Sequence, residues 1–427
     1  MPWRNLLTYS RKMENGLSPD DSSEFHYGQT CDGMRFVCRH RVAPVEYCGV
    51  LINVGSRDES EEEYGLAHFI EHTIFKGTEK RRAASIINRM ESIGGELNAY
   101  TTKEETAVYS IFPTGGISRA VSLIGDLIVN SVFPEDELNK ERDVVLDELE
   151  SYLDTPSEAV FDDYDELFFK NNSLAHNILG TYDSVRGFSS DDCRNFIRKY
   201  YTSGNMVFFY YGAVSPDKIC RMLERAFAGM PVSSAPLRRI NPAAPEFFNE
   251  IKKIDSHQSH TIMGAMTAGL YGKDRYELAL LTNILGGPGM NSRLNIALRE
   301  RRGLVYLVDA TNSSYTDCGL FSIYFGCDHS DLQKCKRLVR TEVEKLADKC
   351  LTDKQLDVCK RQYLGQMCVA RENNEQSALS MSRAFLYHNN VLSLSEVAER
   401  IKTVTSEQIR ACASRLFDTG LPSLTLG

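Results

Sequence analysis

Two long stretches of the chain repeat one order of apolar and polar positions. "EYCGVLINVGSRDESEEEYGLAHFIEHTIF" and "HTIMGAMTAGLYGKDRYELALLTNILGG" each read as an apolar strand, a polar turn and a helix that begins at Tyr64 or Tyr276. "FPEDELNKERDVVLDELE" and "LTDKQLDVCKRQYLGQMC" form a second matched pair, and each half has a long strand pattern and an amphipathic helix in between. The alternation in "ELNAYTTKEETAVYSIFP" and in "LVYLVDATNSSYTDCGLFSIYFG" predicts antiparallel hairpins. Helices such as "ISRAVSLIGDLIVNSVF" predict a cover for one sheet face. The proline-rich "AGMPVSSAPLRRINPAAPEF" has little periodicity and reads as a connection. The expectation is therefore an α+β chain of two homologous, α/β-sandwich-like domains, each a mainly antiparallel sheet covered by helices. They would span residues 31–230 and 248–427, with an N-terminal extension over 1–30 and a linker over 231–247.

Composition narrows the class of protein. The 427 residues are 42% hydrophobic and 25% charged, which is globular, and that length suits two or three domains. A net charge of −9 argues against nucleic acid or an anionic membrane as the main partner. The chain has no apolar run long enough for a transmembrane helix. Its start, "MPWRNLLTYSRKMENG", lacks the apolar core of a signal peptide and turns acidic too soon for a transit peptide. Twelve scattered cysteines, none spaced C-x-x-C, read as buried thiols of a reducing compartment, so a cytoplasmic location is expected.

The candidate chemistry sits in "GLAHFIEHTIFKGT". His68 and His72 are four residues apart on a predicted helix, so both reach one ion from the same face. A catalytic zinc takes three protein ligands and keeps a position open, so a third donor is required. Glu71, beside a ligand in sequence, suits a base that accepts the proton of the attacking water. In "ELNKERDVVLDELE" the residues Leu138, Glu141, Val145, Glu148 and Leu149 share one helical face. Two carboxylates within an apolar stripe are costly unless paired or bound to metal, so Glu141 and Glu148 are both candidates for the third donor. The internal repeat acts as a control. His68, Glu71 and His72 overlay on Leu280, Asn283 and Ile284, and Glu141 and Glu148 on Cys359 and Gln366, none of which is charged.

Taken together, "GLAHFIEHTIFKGT", "IGGELNAYTTKEETAVY" and "ERDVVLDELE" resemble the pitrilysin/insulinase family of zinc peptidases, whose signature is H-x-x-E-H. The similarity covers roughly residues 30–420 and is strongest to the short bacterial relatives of the mitochondrial processing peptidase. The resemblance implies that His68, His72 and Glu148 bind Zn2+, that Glu71 is the general base, and that Glu141 orients a ligand. It implies that "GGELNAYT" is an edge strand on which substrate adds as a further strand, with Asn98 and Ala99 contacting it. "LRERRGLVYLV" resembles the family's arginine–tyrosine pair, here Arg299 and Tyr306, which would hold substrate and stabilise the oxyanion. "LGGPGMNSRL" resembles the glycine-rich segment before that pair; it is no phosphate loop, because no G-K-[ST] follows. The implied protein is a zinc endopeptidase that acts on unstructured peptides in a closed chamber of the bacterial cytoplasm. Longer family members fuse two such two-domain units, so a single unit implies a homodimer with sites completed in trans. The rival readings are a partner subunit without activity of its own and a zinc hydrolase for non-peptide substrates.

Overall fold

The structure is a computed structural model that describes residues 25–233 and 236–427. Residues 1–24 of the expected extension lie outside the described residues. The first sheet contains β1 (Phe25–Gln29), β2 (Arg35–His40), β3 (Val45–Ile52), β4 (Glu96–Thr101), β5 (Thr106–Pro113) and β6 (Met206–Gly212), in the order β1-β2-β6-β3-β5-β4. Its pairs are antiparallel except β2 with β6. The second sheet contains β7 (Asn249–Lys252), β8 (Ser259–Ala268), β9 (Val305–Ser314), β10 (Cys318–Cys327) and β11 (Ser423–Leu426), in the order β7-β11-β8-β10-β9. Only β7 and β11 run parallel there. Both sheets are thus mixed and mainly antiparallel, and the chain is α+β.

The expected start of the first domain at residue 31 is too late, because β1 pairs along its length with β2, Phe25 opposite Arg39. This edge strand buries only Phe25, and that leaves no alternation to read.

The helices of the first half are α1 (Leu66–Thr73), α2 (Ala83–Glu91), α3 (Ile117–Asn130), α4 (Glu135–Leu153), α5 (Pro156–Phe168), α6 (Tyr182–Gly187), α7 (Ser190–Tyr200) and α8 (Pro216–Ala226). In the second half α9 (Arg275–Gly286) is followed by a π-helical turn at Asn295–Glu300. Then come α10 (Leu332–Asp348), α11 (Asp353–Ala370), α12 (Asn374–His388), α13 (Leu394–Thr403) and α14 (Ser406–Asp418). One core packs Val50, Ile52 and Phe208 under Phe69, Ile124 and Leu127, and the other packs Ile323 and Phe325 under Leu281, Val339 and Ile409.

The other face of each sheet is not left open. Ala378, Met381 and Phe385 of α12 cover Leu51, Tyr109 and Phe209 of the first sheet. Val160, Tyr164 and Phe168 of α5 cover Ile262, Leu320 and Leu424 of the second. Each half therefore lends the other a helix, where the pattern had predicted cover on one face only. The cause lies in strands such as β6, "MVFFYYG", which is buried at every position and must be covered on both sides.

Polar contacts tie the halves together as well. The buried Arg57 guanidinium holds both carboxylate oxygens of Asp317 at 2.7 Å, reaches Glu104, and donates to the Ile240 carbonyl at 2.9 Å. Arg239 makes a bidentate pair with Asp58 at 2.9 and 2.8 Å. The segment expected to be a linker is thereby pinned by charge-assisted bonds.

Candidate metal centre

The helix α1 is only eight residues long, and its start is fixed from outside. Gly65 takes φ +94°, and a Cβ there would stand 2.7 Å from the Leu179 carbonyl. Only glycine allows both that dihedral and that approach. The buried carboxylate of Glu59 accepts the Gly65 and Ala67 N–H groups at 2.9 and 2.7 Å, two of the donors a helix start leaves unpaired. His176 backs it through Nε2 at 3.1 Å, and its ring stacks on Tyr64. Glu59→Ala removes this cap and leaves the N–H groups buried. We expect a destabilisation of about 1–3 kcal/mol in a denaturant titration, together with weaker metal binding. An unchanged midpoint would show that α1 keeps its position without Glu59.

Leu66, Phe69 and Ile70 anchor α1 in the core, which turns His68, Glu71 and His72 toward α4 and β4. Leu138, Val145 and Leu149 anchor α4 in the same way. Glu141 and Glu148, two turns apart, face α1. The sequence pattern had put Glu148 inside a buried stripe, but its side chain is 45% exposed. It stands about 100° round the helix from Leu149, which places its carboxylate at the rim.

His68, His72 and Glu148 converge. Their ligand atoms all lie within 4.8 Å of one another, the one such cluster among the described residues. His68 Nε2 and His72 Nε2 stand 3.7 and 3.3 Å from the same Glu148 oxygen. Burial, and then the nearby His72, push the His68 imidazole down to about 4, which favours the neutral form that ligates metals. The Nδ1 of that ring is buried without a partner. The hydrogen bond between His72 and Glu148 raises the imidazole and lowers the carboxyl. Two imidazoles and a carboxylate, open on one side, form the donor set of a three-ligand zinc site with a free fourth position. The residues present therefore fit the metal.

Glu141 reaches His72 Nδ1 at 3.6 Å with one oxygen and Lys76 Nζ at 2.6 Å with the other. It therefore stands behind the His72 ring, on the side away from Nε2. Glu71 is hydrogen-bonded by the hydroxyl and backbone of Thr101, and burial raises its carboxyl above the usual range. Thr101 ends β4, a strand paired on one side only, with Asn98 opposite Tyr109 and Ala99 opposite Val108. Thr101, Glu59 and Lys76 were missed in the sequence. Lys76 had a weak signal, four residues past His72, whereas Thr101 and Glu59 had none.

Arg299 and Tyr306 lie in the second half, on the π-helical turn and on β9. The guanidinium sits over the tyrosine ring at 5.6 Å, and Tyr306 is 84% exposed. The two pair with each other.

Residues 35–182 match the sequence model of the insulinase family, peptidase family M16, and residues 187–363 match that of the peptidase M16 inactive domain. An uncharacterized zinc protease of Streptomyces coelicolor is 32% identical over 86% of this chain and 81% of its own length. One of Bacillus subtilis is 31% identical over 86% of this chain and 90% of its own. The chain belongs to the insulinase family, M16, and its relatives carry the name of zinc proteases. Among solved structures, a protease from Helicobacter pylori shares the fold with a TM-score of 0.86 at 20% identity, over 94% of this chain and 99% of that one. A peptidase M16 inactive domain from Pseudomonas fluorescens does so with a TM-score of 0.88 at 19% identity, over 94% and 97%. No helix among the described residues is long and apolar enough to cross a membrane.

Proposed function

We propose that this chain is a zinc-dependent endopeptidase that hydrolyses unstructured peptides and works as a homodimer. The observation that carries the reading is the convergence of His68, His72 and Glu148, with Glu71 held between them and the free edge of a sheet. His68, His72 and Glu148 hold the metal, and Glu141 keeps His72 in register. Zinc, when bound, supplies a Lewis acid that brings the pKa of water to about 7. Glu71 takes the proton of the attacking water and returns it to the leaving amine; its raised carboxyl suits both steps. β4 offers unpaired backbone groups on which an extended peptide adds as a strand, with Asn98 and Ala99 as the contact positions. A free strand edge of this kind supports a peptide rather than a non-peptide substrate.

Arg299 and Tyr306 hold the substrate backbone and help stabilise the developing oxyanion, in our reading from the partner subunit. Support comes from the exposure of Tyr306, against which the part-buried Arg299 is stacked, and from the place of both in the second half. A two-fold dimer then has two equal sites, each completed in trans. Mixed dimers test this directly. One subunit carries Glu71→Gln and the other Arg299→Ala, each nearly inactive as a homodimer. With trans sites, the mixed dimer has one doubly defective and one intact site, so it recovers up to about half of wild-type cleavage. A verified mixed dimer no more active than its parents would refute the shared site.

A further inference from the structure

The second half has its own version of the metal cleft, and its chemistry is inverted. The helices α9 and α11 pack together as α1 and α4 do. Asn283 and Gln366, which overlay on Glu71 and Glu148, are hydrogen-bonded across that cleft at 2.7 Å. Asn291 and Gln362 exchange two further bonds at 2.8 and 2.9 Å. One amide pair thus joins the two helices, and the other ties α11 to the turn after α9, where the first half has charged groups. The space between them has not closed: a cavity of about 350 Å3 remains, with Asn283, Ile284 and Cys359 in its wall, three of the positions that overlay on the metal site.

The charged members of this wall are Arg293 and Lys354, and it contains no acid. Arg293 meets the Glu342 carboxylate only at 3.9 Å, and Glu342 holds Lys345 at 2.6 Å. Ser292 also lines the cavity; it is 4% exposed, and its hydroxyl has no hydrogen-bond partner. A buried, unpaired hydroxyl costs stability unless something comes to meet it. The field of Arg293 reaches into the cavity, since it pulls down the Cys359 thiol that burial pushes up. Two cations, an unpaired hydroxyl and four amide side chains, set in a wall whose remaining surface is mostly apolar, surround a space of small-ligand size and are the features of an anion site.

We infer that this cleft binds a small oxyanion, a phosphate or carboxylate group, between Arg293, Lys354 and Ser292. The inference does not depend on the peptidase reading. Its two sources are free phosphate and the carboxylate of a peptide terminus, and they can be told apart. The full chain is titrated calorimetrically with inorganic phosphate, with N-acetylglycine, and with neutral N-acetylglycinamide as control. We expect one saturable site for phosphate or for N-acetylglycine, the better binder naming the source, and none for the amide. The site should persist in His72→Ala, which dissociates it from the metal centre. Arg293→Gln and Lys354→Gln should each weaken it roughly tenfold or more, and Ser292→Ala several-fold. Lys354 is exposed, so its replacement reads out binding without risk to the fold. Absence of saturation by either anion up to about 20 mM would overturn the inference. So would amide binding as tight as that of N-acetylglycine, or binding that survives Arg293→Gln but not His72→Ala.

Discussion

His72→Ala should lose bound zinc and peptide cleavage together. Of the proposed ligand set the substitution leaves only His68 and Glu148, one fewer than a catalytic zinc requires. It also frees Glu148, whose 3.3 Å contact with His72 is the shorter of its two to the histidines. A carboxylate already at the rim then turns to solvent. We expect cleavage of an unstructured fluorogenic peptide to fall by at least about a thousandfold, with no stoichiometric zinc after dialysis. His72 is not part of the buried hydrophobic core, so the fold should survive. Wild-type cleavage by metal-free His72→Ala protein would sink the assignment.

Glu71→Gln should separate metal from chemistry. The amide nearly matches the carboxylate in size, and its oxygen still accepts the bonds from Thr101, so the side chain stays in place. It cannot take a proton. Zinc content and peptide binding should stay near wild type, while turnover falls roughly 10²–10⁴-fold. The measurement is kcat under saturating peptide beside metal analysis of the same sample. Zinc lost in this variant would make Glu71 a ligand and take that role from Glu148.

Much of this arrangement was legible in the sequence, for identifiable reasons. The repeat aligned Glu71 and Glu148 with Asn283 and Gln366, and the latter two face each other across α9 and α11 in a hydrogen bond. Helical spacing brought His68 and His72 to one face because α1 is regular from Leu66 to Thr73. What stayed hidden depends on distant partners. Glu59 is held as the cap of α1 by His176, which the chain brings back from more than a hundred residues away. Thr101 supports Glu71 only because β4 ends next to α1. The rim position of Glu148 turns on one step around α4, finer than a stripe of Leu138, Val145 and Leu149 resolves. The unbroken apolar run of β6 went unread in a pattern that predicted cover on one face, and nothing local said that α12 of the other half supplies the second.

That exchange of helices sets an order of events at the ribosome. The first sheet is complete once Gly212 has emerged, yet α12 begins only at Asn374. Until then Leu51, Tyr109 and Phe209 form an uncovered apolar surface on a nascent chain, the condition under which aggregation and chaperone capture compete with folding. The second sheet has no such interval. Its cover, α5, is synthesised before β8, β10 and β11 exist, so those strands are born onto a surface already waiting for them.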